Sequence, residues 1–161
     1  MGTFSLIPQV ADHLKIPLVA AGGIADGRGI AAAMTLGANG VQIGTAFLAC
    51  RQSNASLSHK AKILSAATNK TTLTKSFTGR LARGIAGEIS TKLKQHEDEF
   101  APYPLQSIFM HQLKKAAIKQ SRFDMLTFWA GQSFPLVKHN DAEVLFMELL
   151  KQTESLIKGK E

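Results

Sequence analysis

The sequence holds a single cysteine, Cys50, so it can close no disulfide within itself. That usage fits a reducing compartment, and a cytoplasmic location is expected. Cys50 itself reads more simply as a small apolar residue at a helix start than as a nucleophile. Long apolar runs are also missing. Nothing approaches the roughly 20 residues that span a bilayer, so no membrane partner is expected. The opening MGTFSLIPQVADHLK lacks a basic n-region and a small-residue cleavage site, so no signal peptide is expected. MGTFSL meets only the loose pattern for N-myristoylation. Acidic residues are few, 12 against 19 Lys and Arg, giving a net charge of +7. Such a surplus can serve nucleic acid. Here, however, the lysines are scattered along polar helix faces, with no long basic run and few aromatics between them. They read as solvated faces, some of which attract an anionic cofactor or substrate, and no nucleic-acid partner is expected. There is no internal repeat and no low-complexity segment.

What is present is concentrated in 16–48, IPLVAAGGIADGRGIAAAMTLGANGVQIGTAFL. An apolar run, 16–21, ends in Gly22-Gly23. Asp26 is placed to cap a helix over 27–36, and Gly37 stops it. A second buried run, 40–43, ends in Gly44-Thr45. Strand, glycine turn, helix, strand, glycine turn is a parallel βαβ unit. Both glycine turns follow the carboxyl end of a strand, the edge where parallel α/β folds bind ligands. Gly22 and Gly23 carry no Cβ, so an anion can come close to their N–H groups. Gly44-Thr45 offers further amides and a hydroxyl. Either turn alone can be an ordinary βα turn; the pair at this spacing favours a phosphate. Gln42, at the end of a buried strand between Val41 and Ile43, needs a polar partner. Arg28, in the first helical turn, lies near the expected anion or simply faces solvent.

Around this unit the periodicity predicts mostly helix. Phe4, Leu6, Ile7, Val10 and Leu14 mark a helix over 5–15, belonging to a preceding βα unit. Short and longer helices are expected over 45–50 and 57–67. The threonine-rich 69–77 reads as extended. Helices are expected over 82–97, with Ile85, Ile89 and Leu93 on one stripe, over 105–120, with Ile108, Phe109, Leu113, Ala116 and Ala117 apolar, and over 124–130. A last helix over 142–158, capped by Asp141, carries Val144, Leu145, Leu149 and Ile157. Segment 101–104, with two prolines, is a rigid linker. The boundary between the two parts falls at 68/69. All five histidines, His13, His59, His96, His111 and His139, sit on or beside polar helical surfaces. None has a partner spacing that makes a metal site.

The run AAGGIADGRGIAAAMTLGANGVQIGTAFL resembles the flavin-phosphate segment of the nitronate monooxygenase family, formerly 2-nitropropane dioxygenases. The resemblance continues through 74–80, TKSFTGR, and 82–85, ARGI. It extends to Tyr103-Pro104 and to Trp129-Ala130-Gly131-Gln132. It implies an FMN-dependent (β/α)8 barrel enzyme that oxidises alkyl nitronates to carbonyl compounds and nitrite with O2. Carried over by position, Gly23, Gln42, Ile43, Gly44 and Thr45 are the residues expected at FMN. The reading of the first turn adds Gly22, and Gln132, after the helix stop at Gly131, is expected to reach the same site from the C-terminal side. The family's proposed catalytic histidine lies on an earlier barrel loop, before Met1 by the resemblance, so no catalytic residue is expected within this chain.

A complete (β/α)8 barrel usually takes about 250 residues, and this chain has 161. The resemblance therefore implies a C-terminal portion. Residues 1–68 supply about two parallel strands with their helices, and 69–161 a mostly helical region. Two strands alone leave open edges. The missing barrel half, or another copy of the chain, is the expected partner, and turnover by the chain alone is not expected. Two other readings fit the same residues. One is an FMN-dependent enoyl-acyl-carrier-protein reductase, which shares the AGGI and GT turns. The other is a non-catalytic interaction fragment, basic and helical, that binds a partner or nucleic acid.

Overall fold

The computed structural model describes residues 1–65 and 70–159. The chain forms two compact units: Met1–Leu64 together with Ser133–Glu161, and Ser65–Gln132. The expected boundary at 68/69 lies outside the described residues, as do Ala67 and Asn69 of the expected segments 57–67 and 69–77.

The first unit runs α1 (Thr3–His13), β1 (Val19–Ala21), α2 (Gly27–Thr35), β2 (Gly40–Gln42), α3 (Thr45–Leu48) and α4 (Leu57–Leu64). Strands β1 and β2 pair in parallel, with Val19 opposite Gly40, Ala20 opposite Val41 and Ala21 opposite Gln42. Side chains alternate across a strand, so Ala20 and Val41 share one face. That face packs on Ile7 of α1, Ala33 of α2 and Ala38, with Leu18, Ile24 and Leu36 around them. The other face carries Val19, Ala21 and Gln42, and all three are exposed.

The expectation of two fully buried strands, Gln42 included, is therefore corrected. Apolar runs such as 16–21 suit strands covered on both faces. Among the described residues helices cover only one, and Ile16 and Val19 stand 69% and 59% exposed.

The C-terminal segment closes this unit. A 3-10 turn, Phe134–Leu136, leads to the last helix, Ala142–Lys158. That helix lies directly on α2. A Cβ on Gly27 would stand only 2.4 Å from the Gln152 Cβ, so the two backbones touch. Its Leu145 and Leu149 are buried, whereas Val144 and Ile157, expected on the same face, are half exposed.

The second unit contains an antiparallel sheet that the periodicity did not announce. It is built from β3 (Thr71–Thr74), β4 (Ala82–Ile85) and β5 (Phe128–Trp129), in that order. Between them lie the helices α5 (Glu88–Lys92) and α6 (Leu105–Lys119). The helix expected over 82–97 begins only at Glu88. Gly84 and Gly87 disfavour helix, and 82–85 finds a strand on each side, Thr71–Thr74 and Phe128–Trp129. The helix expected over 124–130 is likewise corrected to a 3-10 turn, Phe123–Met125, followed by β5. Aromatic residues fit a pleated surface well, and Phe128 and Trp129 pair with Ile85 and Gly84.

The core of this unit is Phe77, Ile89 and Met110, with Leu93, Leu113, Met125 and Trp129 packed against it. Phe77 meets Trp129 edge to face, centroids 6.2 Å apart. On α6 the buried positions are Gln106, Met110 and Ala117, while Ile108 and Phe109 are 63% and 67% exposed. The apolar face expected there is thus rotated. Gln106 fixes the rotation, because its amide donates 2.8 Å to the Ser76 carbonyl inside the unit. The last helix of the chain, Ala142–Lys158, is α7 in chain order.

Candidate functional site

The two glycine turns begin where β1 and β2 end. Ala21 and Gln42 are paired, and hydrogen-bonded strands lie about 4.8 Å apart. Gly22-Gly23 and Gly44-Thr45 therefore leave the sheet side by side, on one edge. Gly22 and Gly23 have φ of 100° and 74°, a region that residues with a Cβ seldom adopt. This is the physical reason for two glycines here.

Polar groups of the first turn are unequally used. The Gly22 carbonyl accepts a hydrogen bond from Thr3 Oγ1 at 2.9 Å, and the Gly23 carbonyl accepts one from Ser133 Oγ at 2.6 Å. Among the described residues the Gly23 and Gly44 amides donate to no partner. A Cβ placed on Gly44 would meet nothing within 4 Å. The pair of turns thus forms an open cradle with N–H donors to offer, the donor chemistry a phosphate requires. Ile43 and Thr45 are half-buried beside it, and Gln42 projects from the uncovered sheet face.

Helix α2 does not share in this supply. Its first amides are already bonded: Gly27 N–H to Gln152 Oε1 at 3.0 Å, and Arg28 and Gly29 N–H to Asp26 Oδ1 at 3.0 and 3.2 Å. Asp26 is a helix cap, as its position predicts. The Arg28 guanidinium binds Asp26 Oδ2 through Nε and Nη2 at 3.0 and 2.6 Å. That hydrogen bond, ahead of the opposing effect of burial, holds the Asp26 carboxyl below its usual range. Arg28 is thus committed to Asp26. A hollow of about 480 Å³ lies behind this pair, between α2 and α7, and none of the glycines of the two turns lines it.

His13 Nδ1 lies 2.7 Å from the Gln9 carbonyl on α1, and His96 Nδ1 lies 2.9 Å from Glu99 Oε1. His111 is exposed on α6, while His59 and His139 are half-buried. Among the described residues no group of His, Cys, Asp or Glu is arranged to hold a metal ion. Burial pushes the Cys50 thiol pKa up, away from thiolate chemistry. Thr3 and Ser133 were not singled out in the sequence. No periodicity marks them; only the place of Ser133, directly after Gly131-Gln132, hinted that this region returns to the site.

Solved structures of similar fold cover this chain almost completely. A nitroalkane oxidase from Streptomyces ansochromogenes matches all of it with a TM-score of 0.89 and 35% identity, over 46% of that protein. FabK from Thermotoga maritima matches 99% of it with a TM-score of 0.80 and 32% identity, over 51% of that protein. The fold is α/β: part of a (β/α)8 barrel, two parallel strands with their helices, followed by a mostly helical region that also carries a small sheet.

The family described as nitronate monooxygenase matches residues 1–152, and the chain belongs to that family. A probable nitronate monooxygenase of Bacillus subtilis is 43% identical over 152 residues, 94% of this chain and 43% of that protein. One from Staphylococcus saprophyticus is 42% identical over 157 residues, 98% of this chain and 44% of that protein. The chain thus spans under half the length of these relatives.

Proposed function

We propose that this chain supplies the flavin-phosphate grip of an FMN-dependent nitronate monooxygenase, which oxidises alkyl nitronates to carbonyl compounds and nitrite with O2. The observation that carries this reading is the pair of glycine turns on adjacent parallel strands, with the Gly23 and Gly44 amides unspent. The phosphate of FMN would be held by the Gly22-Gly23 turn from one side and by Ile43-Gly44-Thr45 from the other, with Thr45 adding a hydroxyl. Gln42, on the uncovered sheet face, would meet the remainder of the cofactor.

When bound, the flavin supplies the electron-accepting chemistry; the chain's residues bind and orient it. No residue of this chain is assigned as catalytic. The rest of the barrel, which the relatives' greater length accommodates, would bring the group that handles the substrate. Among the described residues no helix is long and apolar enough to cross a membrane. The enzyme proposed is a cytoplasmic one, in keeping with the lone cysteine of the sequence.

The test is FMN retention by a full-length parent carrying Gly23→Val or Thr45→Val. Both should purify with less flavin than the wild type, and wild-type affinity in both would remove the assignment. The likeness to FabK supports one competing reading, an FMN-dependent enoyl-acyl-carrier-protein reductase. Anaerobic mixing of the flavin-loaded parent with NADH or NADPH separates the two. Rapid bleaching marks the reductase, and an unchanged flavin spectrum the monooxygenase.

A further inference from the structure

We propose that Thr3 and Ser133 are positioning residues that aim the phosphate-binding amides of the Gly22-Gly23 turn. The proposal rests on the FMN-phosphate reading above and names the side chains that set that grip's geometry. Two successive glycines at φ of 100° and 74° have many alternative conformations. The strand ladder ends at Ala21 and α2 starts at Gly27, so neither element holds the turn. Two hydroxyls hold it instead. Thr3 Oγ1, at the start of α1, donates to the Gly22 carbonyl at 2.9 Å and lies 3.5 Å from the Ala21 carbonyl. Ser133 Oγ donates to the Gly23 carbonyl at 2.6 Å from 110 residues further along the chain.

The consequence follows from the planarity of the peptide bond. In a trans peptide the carbonyl of one residue and the N–H of the next lie in one plane and point in opposite directions. Fixing the Gly22 carbonyl therefore fixes the direction of the Gly23 N–H, and fixing the Gly23 carbonyl fixes the Ile24 N–H. Each hydroxyl pulls on one side of the turn, and an amide is presented on the other. Preorganised donors bind an anion without the cost of ordering the loop. Neither Thr3 nor Ser133 touches the ligand in this scheme.

The experiment compares FMN with riboflavin, which has the same ring and no phosphate, on the full chain. Wild type should bind FMN more tightly than riboflavin. Ser133→Ala and Thr3→Val should each weaken FMN by about threefold to tenfold, the scale of one lost hydrogen bond, and leave riboflavin unchanged. Ser133→Thr and Thr3→Ser should restore FMN binding. In the flavin-free chain, amide hydrogen exchange at Gly23 and Ile24 should quicken in the two deletions and return in the two rescues.

A wild type that does not prefer FMN to riboflavin would sink the phosphate reading alone, and the exchange data would still judge the hydroxyls. A wild type that prefers FMN, with deletion variants that prefer it equally, overturns the positioning role. So does unchanged amide exchange in both variants.

Discussion

In the proposed grip Gly23 serves through its backbone alone, and any side chain placed there acts by deforming that backbone. Its φ of 74° is in the left-handed region, where a Cβ costs roughly 1–2 kcal/mol. If the turn keeps its shape only at that expense, Gly23→Ala should weaken FMN binding by about tenfold or lower stability by the same free energy. Isothermal titration and urea unfolding of the same variant report how the cost divides.

Asp141 is a second residue whose environment is explicit. It caps α7 through the Val144 and Glu143 amides at 3.2 and 3.0 Å and meets Arg51 Nε at 2.5 Å. The Val144 amide first, then Arg51, bring its pKa down to about 2 from 3.8. Because the folded value is the lower one, its contribution to stability is complete above pH 3.8 and fades as pH falls through about 2. Carboxyl-carbon NMR should show Asp141 titrating near 2, and Arg51→Gln should move that midpoint upward.

Among the elements, α2 has the most explicit supports, a side-chain cap at Asp26 and direct backbone contact with α7. Asp26→Ala removes a cap that satisfies two amides and anchors Arg28. The loss should be about 0.5–2 kcal/mol by denaturant unfolding. Gly27→Val is the harsher test, since its Cβ would overlap both Gln152 and the Thr153 backbone nitrogen. Overpacking of that kind costs about 1–3 kcal/mol, and it should separate α7 from α2 in a proteolysis assay.

Much of this layer was legible in the sequence. Asp26 and Asp141 announced their helices by capping chemistry, and the parallel pair was readable from two apolar runs ending in glycine. The second sheet was hidden because strands β4 and β5 are short and borrow their stability from each other, which no local pattern records. Ile85, Ile89 and Leu93 do fall at helical spacing, but Gly84 joins a ladder before any helix starts. On α6, Gln106 turns inward and Phe109 outward, an inversion that depends on one hydrogen bond to Ser76. The site showed the same division. The glycines stood out by composition, whereas the Ser133 hydrogen bond spans 110 residues and only its place after Gly131-Gln132 hinted at it.

For the whole molecule, the uncovered face of the β1–β2 pair is the dominant feature. Val19, Ala21 and Gln42 share it, and Phe4, Leu6, Leu14 and Ile16 are also exposed. A two-stranded parallel sheet with open outer edges and an open apolar face associates readily. The 161-residue chain should therefore bind ANS and sediment with a concentration-dependent mass. A polypeptide equivalent to the remaining length of the relatives should suppress both. Unaltered ANS binding on mixing would argue against that fragment as the cover.

The spent amides at the head of α2 have one further consequence. Gln152 and Asp26 already take the donors that a helix start offers an anion. Under the proposed reading the flavin phosphate therefore depends on the two glycine turns alone, and a variant that loses either turn has no second site to fall back on.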